Sequence, residues 1–170
     1  MNTTHAPEGY NTINPFIITT DALGLIDFLK EVFAGVESDY AHTVDDDGLL
    51  LHAEVTIGDS VVMLAERKPD WPVTPALLQV YVPDLEKALA DAQRLGARLV
   101  TKPTPFFDTT LSRIVDPSGN MWWVYQLPEP SSEEVDWSAD GDEPEWTSGA
   151  SDELIYIHDT LLEGMRSLAR

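Results

Sequence analysis

No cysteine occurs anywhere in the 170-residue chain, which removes disulfides, thiolate metal centres, iron–sulfur clusters and cysteine nucleophiles from consideration. Basic residues are scarce as well: 10 Lys and Arg stand against 30 Asp and Glu, for a formal net charge of −20. A field of that sign repels phosphate backbones and anionic headgroups, so neither nucleic acid nor membrane is an expected partner. No apolar run approaches the roughly 18 residues of a spanning helix. The opening stretch MNTTHAPEGYNTINPF lacks a basic segment followed by an apolar one, so a cytoplasmic protein is expected. What is abundant is apolar surface: 43% hydrophobic residues over this length can bury a core without staples.

The apolar residues are distributed with readable periods. Residues 13–19 (INPFIIT) predict a strand, and Asp21 caps a helix whose apolar face runs through Leu25, Ile26, Leu29, Val32 and Phe33, with Gly35 where a stop belongs. Strands are then expected over 38–44, 49–57 and 60–65, joined by the turns Asp45–Gly48 and Gly58-Asp59. The order is β-α-β-β-β.

The same plan repeats. Residues 77–82 predict a strand, Asp84 opens a helix that Gly96 ends, and strands follow over 98–102, 109–115 and 121–126, the last two flanking the turn Asp116-Pro117-Ser118-Gly119. Gly96 follows Gly35, and Gly119 follows Gly58, by the same 61 residues, as two copies of one unit would give. An α+β domain with coincidental spacing is the plainer alternative. Beyond Pro128 the composition turns to acids, Pro, Ser and Gly, too polar to pack alone. Ser151 then caps a helix with a stripe of Leu154, Ile157, Leu161, Met165 and Leu168, which must dock on its own domain or on a partner. The expected division is a mobile N-terminus over 1–9, a first βαβββ module over 10–68, a linker over 69–75, a second module over 76–127, an acidic extended linker over 128–150 and an amphipathic helix over 151–170. Trp137 and Trp146, unusual in so polar a segment, are expected to anchor that linker, Trp71 to pin the loop between modules, and Trp122 to lie in the core.

NPFIITTDALGLIDFLKEVFAG, HAEVTIGDSVVMLAE and VDPSGNMWWVYQ together resemble the glyoxalase/bleomycin-resistance/extradiol-dioxygenase superfamily, and within it PhnB-like proteins, over about residues 10–127. The resemblance implies an α+β fold of the vicinal oxygen chelate type: two βαβββ modules form a curved, mixed eight-stranded sheet around a cavity, here followed by a C-terminal helix. Members of that family often pair as homodimers, so a homodimer is the expected assembly. Metal-dependent relatives carry one ligand on the first and one on the last strand of each module. By position those places fall here on Asn14, Met63 (or Val62, one residue along), Leu77 and Trp123. A thioether, an isobutyl group and an indole do not bind a divalent ion. His5, His42 and His158 show no ligand spacing, so neither a metal nor any other cofactor is expected.

Strand alternation gives a cavity lining of its own. Asn14, Phe16 and Ile18 would face inward, with Leu50, His52, Glu54 and Thr56, with Met63, with Leu77, Gln79 and Tyr81, and with Met121, Trp123 and Tyr125. Leu51, Ala53, Val55 and Ile57 would face the helices. The lining is aromatic and apolar, as small-ligand sites are. His52 and Glu54 are its titratable pair and the candidate acid–base residues, although positions i and i+2 on a strand lie about 7 Å apart. Arg113 can meet an anionic group of a ligand, or pair with one of many surface acids, the latter being the expected role. Three functions follow in order of expectation. The first is a small-molecule-binding protein that sequesters a drug or metabolite, its acidity suiting cationic guests. The second is a metal-independent lyase or isomerase using His52 and Glu54, and the third a regulatory or interaction module built on the tail.

Overall fold

The computed structural model describes residues 5–128 and 151–168. β1 (Phe16–Thr19) leads into α1 (Ala22–Phe33), whose first turn is capped by Asp21 Oδ1 accepting from Gly24 N at 2.8 Å. The buried positions Leu25, Ile26, Leu29, Val32 and Phe33 match the periodic face. The stop differs from the sequence reading, because Ala34 takes the left-handed conformation at φ 54°. Gly35 is needed for space instead: a Cβ there would lie 2.6 Å from Val55 Cγ1 and 3.0 Å from the Leu29 carbonyl oxygen.

β2 (Val36–Glu37) and β3 (Thr43–Val44) take the place of the single strand expected over 38–44. Ala41 N closes a turn onto the Ser38 carbonyl at 3.2 Å, and Tyr40 at its tip is fully exposed. Ser and Asp favour such turns, and here that local preference overrides the alternating pattern. β4 (Leu50–Ile57) and β5 (Ser60–Glu66) complete the first module. The second contains β6 (Leu77–Tyr81), α2 (Leu85–Arg94), β7 (Arg98–Phe106), β8 (Thr109–Val115) and β9 (Met121–Gln126). Asp84 Oδ1 caps α2 by accepting from Lys87 N at 2.9 Å, and Gly96 leaves it at φ 94°. β7 runs four residues past its expected end, through Pro103 and Pro105. It tolerates them because it is an edge strand with register shifts on either side of Thr101.

The strands form two sheets. One has five strands in the order β1-β5-β4-β2 with β3 also paired to β4, and the other has four in the order β6-β9-β8-β7. β1 runs parallel to β5 and β6 parallel to β9, so each module closes its sheet with its own first strand. The architecture is α+β. Both sheets turn one face to the helices, where Ile17, Val55, Leu64, Ile114, Trp122 and Val124 join the buried sides of α1 and α2 in one core. Phe33 of α1 packs on Trp122 of β9 with ring centroids 4.9 Å apart. Among the described residues the modules meet through α1 and α2, and no strand of one sheet pairs with a strand of the other.

α3 (Asp152–Leu168) lies along β7 of its own chain. Ser151 Oγ accepts from Leu154 N at 3.4 Å at its start. Ile157 and Gly164 are its buried residues and Leu154, Leu161 and Leu168 are half-buried, so the docked face keeps the expected stripe except at Met165, which is exposed with Gly164 in its place. Gly164 permits close approach: a Cβ there would lie 2.7 Å from Met121 Cε and 2.8 Å from Val100 Cγ1. Trp137, Trp146 and most of the acidic linker lie outside the described residues. No helix among those described is long and apolar enough to cross a membrane.

Candidate ligand-binding faces

Each sheet has a second face, turned away from α1 and α2, and pairing register fixes which residues share it. On the first sheet Phe16 lies beside Met63, which lies beside Glu54. On the second, Leu77 pairs with Met121, Gln79 with Trp123 and Tyr81 with Tyr125, and Trp123 pairs in turn with Arg113. Alternation therefore brings together Phe16, Glu54 and Met63 on one face, and Leu77, Gln79, Tyr81, Arg113, Trp123 and Tyr125 on the other.

Asn14 is placed otherwise. It precedes β1, and its side chain closes a turn: Oδ1 accepts from Asn11 N at 3.1 Å and Nδ2 donates to the Asn11 carbonyl at 2.7 Å. The β1 residue beside Met63 is Phe16. A second departure lies in β4, where the β3 pairing slips between Thr43 and Val44. A bulge there reverses the faces of the first two residues, so Leu50 is buried and Leu51 exposed while Ala53 and Val55 keep to the core.

His52 and Glu54 touch. Their Nε2 and Oε1 atoms are 3.0 Å apart, a direct contact that strand spacing alone argued against, because two long side chains on one face can lean toward each other over a rise of about 7 Å. The other carboxylate oxygen accepts from the Tyr10 hydroxyl at 2.7 Å, and the Phe16 ring stands 6.0 Å from the His52 ring. The hydrogen bond to Glu54 raises the Tyr10 phenol above its ordinary range. Sequence reasoning missed Tyr10, since it lies in the segment before β1 and no periodicity connects it with β4. The resulting Tyr10–Glu54–His52 chain can store and relay a proton.

On the second sheet Arg113 is not the surface cation expected of it. It is 4% exposed and makes no ion pair among the described residues. Its Nη1 donates to Thr101 Oγ1 at 3.1 Å and to the Ile157 carbonyl of α3 at 2.8 Å, while its guanidinium carbon lies 5.2 Å from the centre of the Trp123 ring. Burial lowers its proton affinity from the usual arginine value. Tyr125, raised by burial, stacks 5.4 Å from Tyr81, and Gln79 Nε2 donates to the Tyr81 hydroxyl at 2.7 Å.

The metal that some relatives use does not fit these residues. The corresponding positions offer Met63, Leu77 and Trp123, and with Asn14 turned to its own loop the neighbouring face supplies Phe16. Among the described residues no three His, Asp or Glu side chains converge as a ligand set, and His52 and Glu54 are engaged with each other. Two clefts, of about 320 and 210 Å³, lie beside the helices. The first is between the start of α1 and the Pro117-Ser118 turn and the second beside α2, and neither contains His52, Glu54, Arg113 or Trp123.

Solved structures share this fold. A glyoxalase/bleomycin resistance protein/dioxygenase family enzyme from Burkholderia phytofirmans PsJN aligns with a TM-score of 0.58 at 17% identity, over 72% of this chain and 100% of that one. TioX from Micromonospora sp. ML1 aligns at 0.53 and 18%, over 68% and 99%. The fosfomycin resistance protein FosX from Mesorhizobium loti aligns at 0.52 and 18%, over 71% and 92%. No match was found among curated proteins. A family model matches residues 11–124, and on that match the chain belongs to the Glyoxalase/Bleomycin resistance protein/Dioxygenase superfamily.

Proposed function

We propose that this protein binds a small aromatic molecule without a metal, in a pocket that two copies build by setting the open face of one chain's first sheet against the open face of the other's second sheet. One observation carries the reading: Phe16, Leu77 and Tyr81, which belong on a pocket wall, are each about half exposed in the single chain, at 49%, 50% and 57%. Large apolar side chains left open on both sheet faces mark surfaces with an occupant. β1 and β6 are edge strands with free backbone groups, and pairing them between copies would satisfy both edges and enclose both faces. Sequestration of a drug or metabolite is the role this suggests. The presence of a fosfomycin resistance protein among the structural relatives supports it, and a cytoplasmic setting suits a cysteine-free chain. Native mass spectrometry of the full chain with 2-naphthamide tests the reading. A dimer that takes up two molecules is expected, and a monomer that binds neither this nor any other aromatic probe would refute it.

The His52–Glu54 contact at 3.0 Å favours a second reading, a metal-independent lyase or isomerase acting on a small carbonyl compound. Turnover would then be insensitive to chelators and bell-shaped in pH, and His52→Ala would abolish it. Unchanged turnover in that variant removes the second reading and leaves the first.

A further inference from the structure

We infer that Arg113 is an oxyanion subsite on the second sheet's open face, gripping the carboxylate of an aromatic ligand, with α3 as the gate over it. The inference deepens the pocket reading above and rests on it. A buried guanidinium ordinarily has a carboxylate beside it, because desolvation is otherwise uncompensated. This chain holds 30 acids, yet Arg113 at 4% exposure has no acidic partner among the described residues.

The pattern of its hydrogen bonds shows which part of the guanidinium is left over. Both described partners, Thr101 Oγ1 and the Ile157 carbonyl, are neutral, and both are taken by Nη1. Nε is buried and has no partner among the described residues. Nε and Nη2 form the edge whose two parallel N–H groups match the oxygens of a carboxylate, and among the described residues that edge has no acceptor. The Trp123 ring at 5.2 Å holds the guanidinium plane in place, and the stacked Tyr81 and Tyr125 rings offer a surface for the aromatic part of such a ligand.

Nε is closed from solvent, so a carboxylate enters only as something shifts. α3 suits that part. Of its 17 residues only Ile157 and Gly164 are fully buried, with Leu154, Leu161 and Leu168 half-buried, and polar contacts join it to the sheet: Thr101 to Thr160, Lys102 N to Tyr156, Arg98 to Ser167, and Arg113 itself. The net charge of −20 does not exclude an anion, because salt screens distant carboxylates beyond about 8 Å while the unpaired guanidinium acts at contact. Cationic guests, expected from acidity alone, would meet the wrong sign at this position.

The test uses the full chain and three near-isosteric probes, 2-naphthoate, 2-naphthamide and 2-naphthylmethylamine, titrated against wild type, Arg113→Met and Arg113→Lys. Wild type should bind the naphthoate about tenfold more tightly than the amide. In both variants the preference for naphthoate over amide should vanish, and Arg113→Lys keeps the test valid if the Met variant unfolds. Hydrogen exchange around Ile157 should rise when naphthoate binds. If the amide binds but the naphthoate is no tighter, or is indifferent to Arg113, or if the amine binds best, the subsite is overturned and Arg113 is only the anchor of α3. If none of the three binds, the pocket reading itself falls and takes this inference with it.

Discussion

The Tyr10 hydroxyl donates to Glu54 Oε2 at 2.7 Å, joining two residues 44 positions apart in the chain. The bond ties the segment ahead of β1 to the middle of β4 and holds the carboxylate against His52. It also makes Tyr10 reluctant to ionise, since a phenolate would lose its acceptor and face a carboxylate. Glu54→Gln should bring the Tyr10 titration down toward its ordinary value of 10.0, read as phenolate absorbance with Tyr10→Phe as the reference. An unchanged alkaline titration would mean that the two residues do not meet in solution.

Asp116 organises the turn between β8 and β9. Its carboxylate accepts from Asn120 N, Asn120 Nδ2 and Trp122 Nε1, each at 2.9 Å. Asp116→Ala would strand those donors in the interior and should lower stability by about 2–4 kcal/mol in denaturant unfolding. Burial raises the Asp116 pKa above 3.8 in spite of these bonds, so the folded state holds its proton to higher pH than the unfolded chain. The contribution of this group therefore declines as pH rises through the interval between the two values. Asp116→Asn should flatten that part of the stability profile.

Lys68 pins the loop that joins β3 to β4 by donating to both Asp45 and Asp47. Those hydrogen bonds lower both aspartates from 3.8 and raise Lys68 from 10.5. The stabilisation is therefore present between these ranges, fading as pH falls through the lowered carboxylate values and again as it rises through the elevated ammonium value. Lys68→Met should reduce the melting temperature at neutral pH, with the difference from wild type closing in strong acid. A constant difference down to pH 2 would contradict the pin.

Gly35 leaves no room for a side chain where the end of α1 crosses β4, with Val55 Cγ1 2.6 Å from an added Cβ. Gly35→Ala should cost about 1–3 kcal/mol through overpacking. A neutral or stabilised variant would show that the helix end can give way.

Much of this was legible in residue order. Asp21 and Asp84 announced their helices, the apolar face of α1 was readable at helical spacing, and the repeated glycines at 35, 58, 96 and 119 revealed the duplication. Each is a local signal, fixed by a cap, a period or a turn. The site was less readable, because its chemistry is made by tertiary contact. The two faces, one carrying Phe16 and Met63 and the other Tyr81 and Trp123, followed from alternation, but the approach of Tyr10 to Glu54 depends on where an irregular segment lies. Arg113 looked like one basic residue among many acids, and its contacts with Thr101, Trp123 and the Ile157 carbonyl of α3 are made only in the folded chain. Asn14 was misplaced because β1 begins three residues later than its apolar pattern suggests. The prolines of β7 hid its length, since edge position, which makes them tolerable, is a property of the whole sheet.

The central claim is that each pocket is shared between two chains, and mixing two defective chains tests it most directly. Phe16→Asp spoils the open face of the first sheet and Tyr81→Asp that of the second, both at positions exposed in the single chain. Each variant alone should fail to bind 2-naphthamide. If the pocket is built across copies, unfolding and refolding the two together creates mixed dimers in which one pocket combines two unaltered faces, and roughly a quarter of the wild-type sites should return. No recovery from mixed dimers confirmed by native mass spectrometry would contradict the shared pocket.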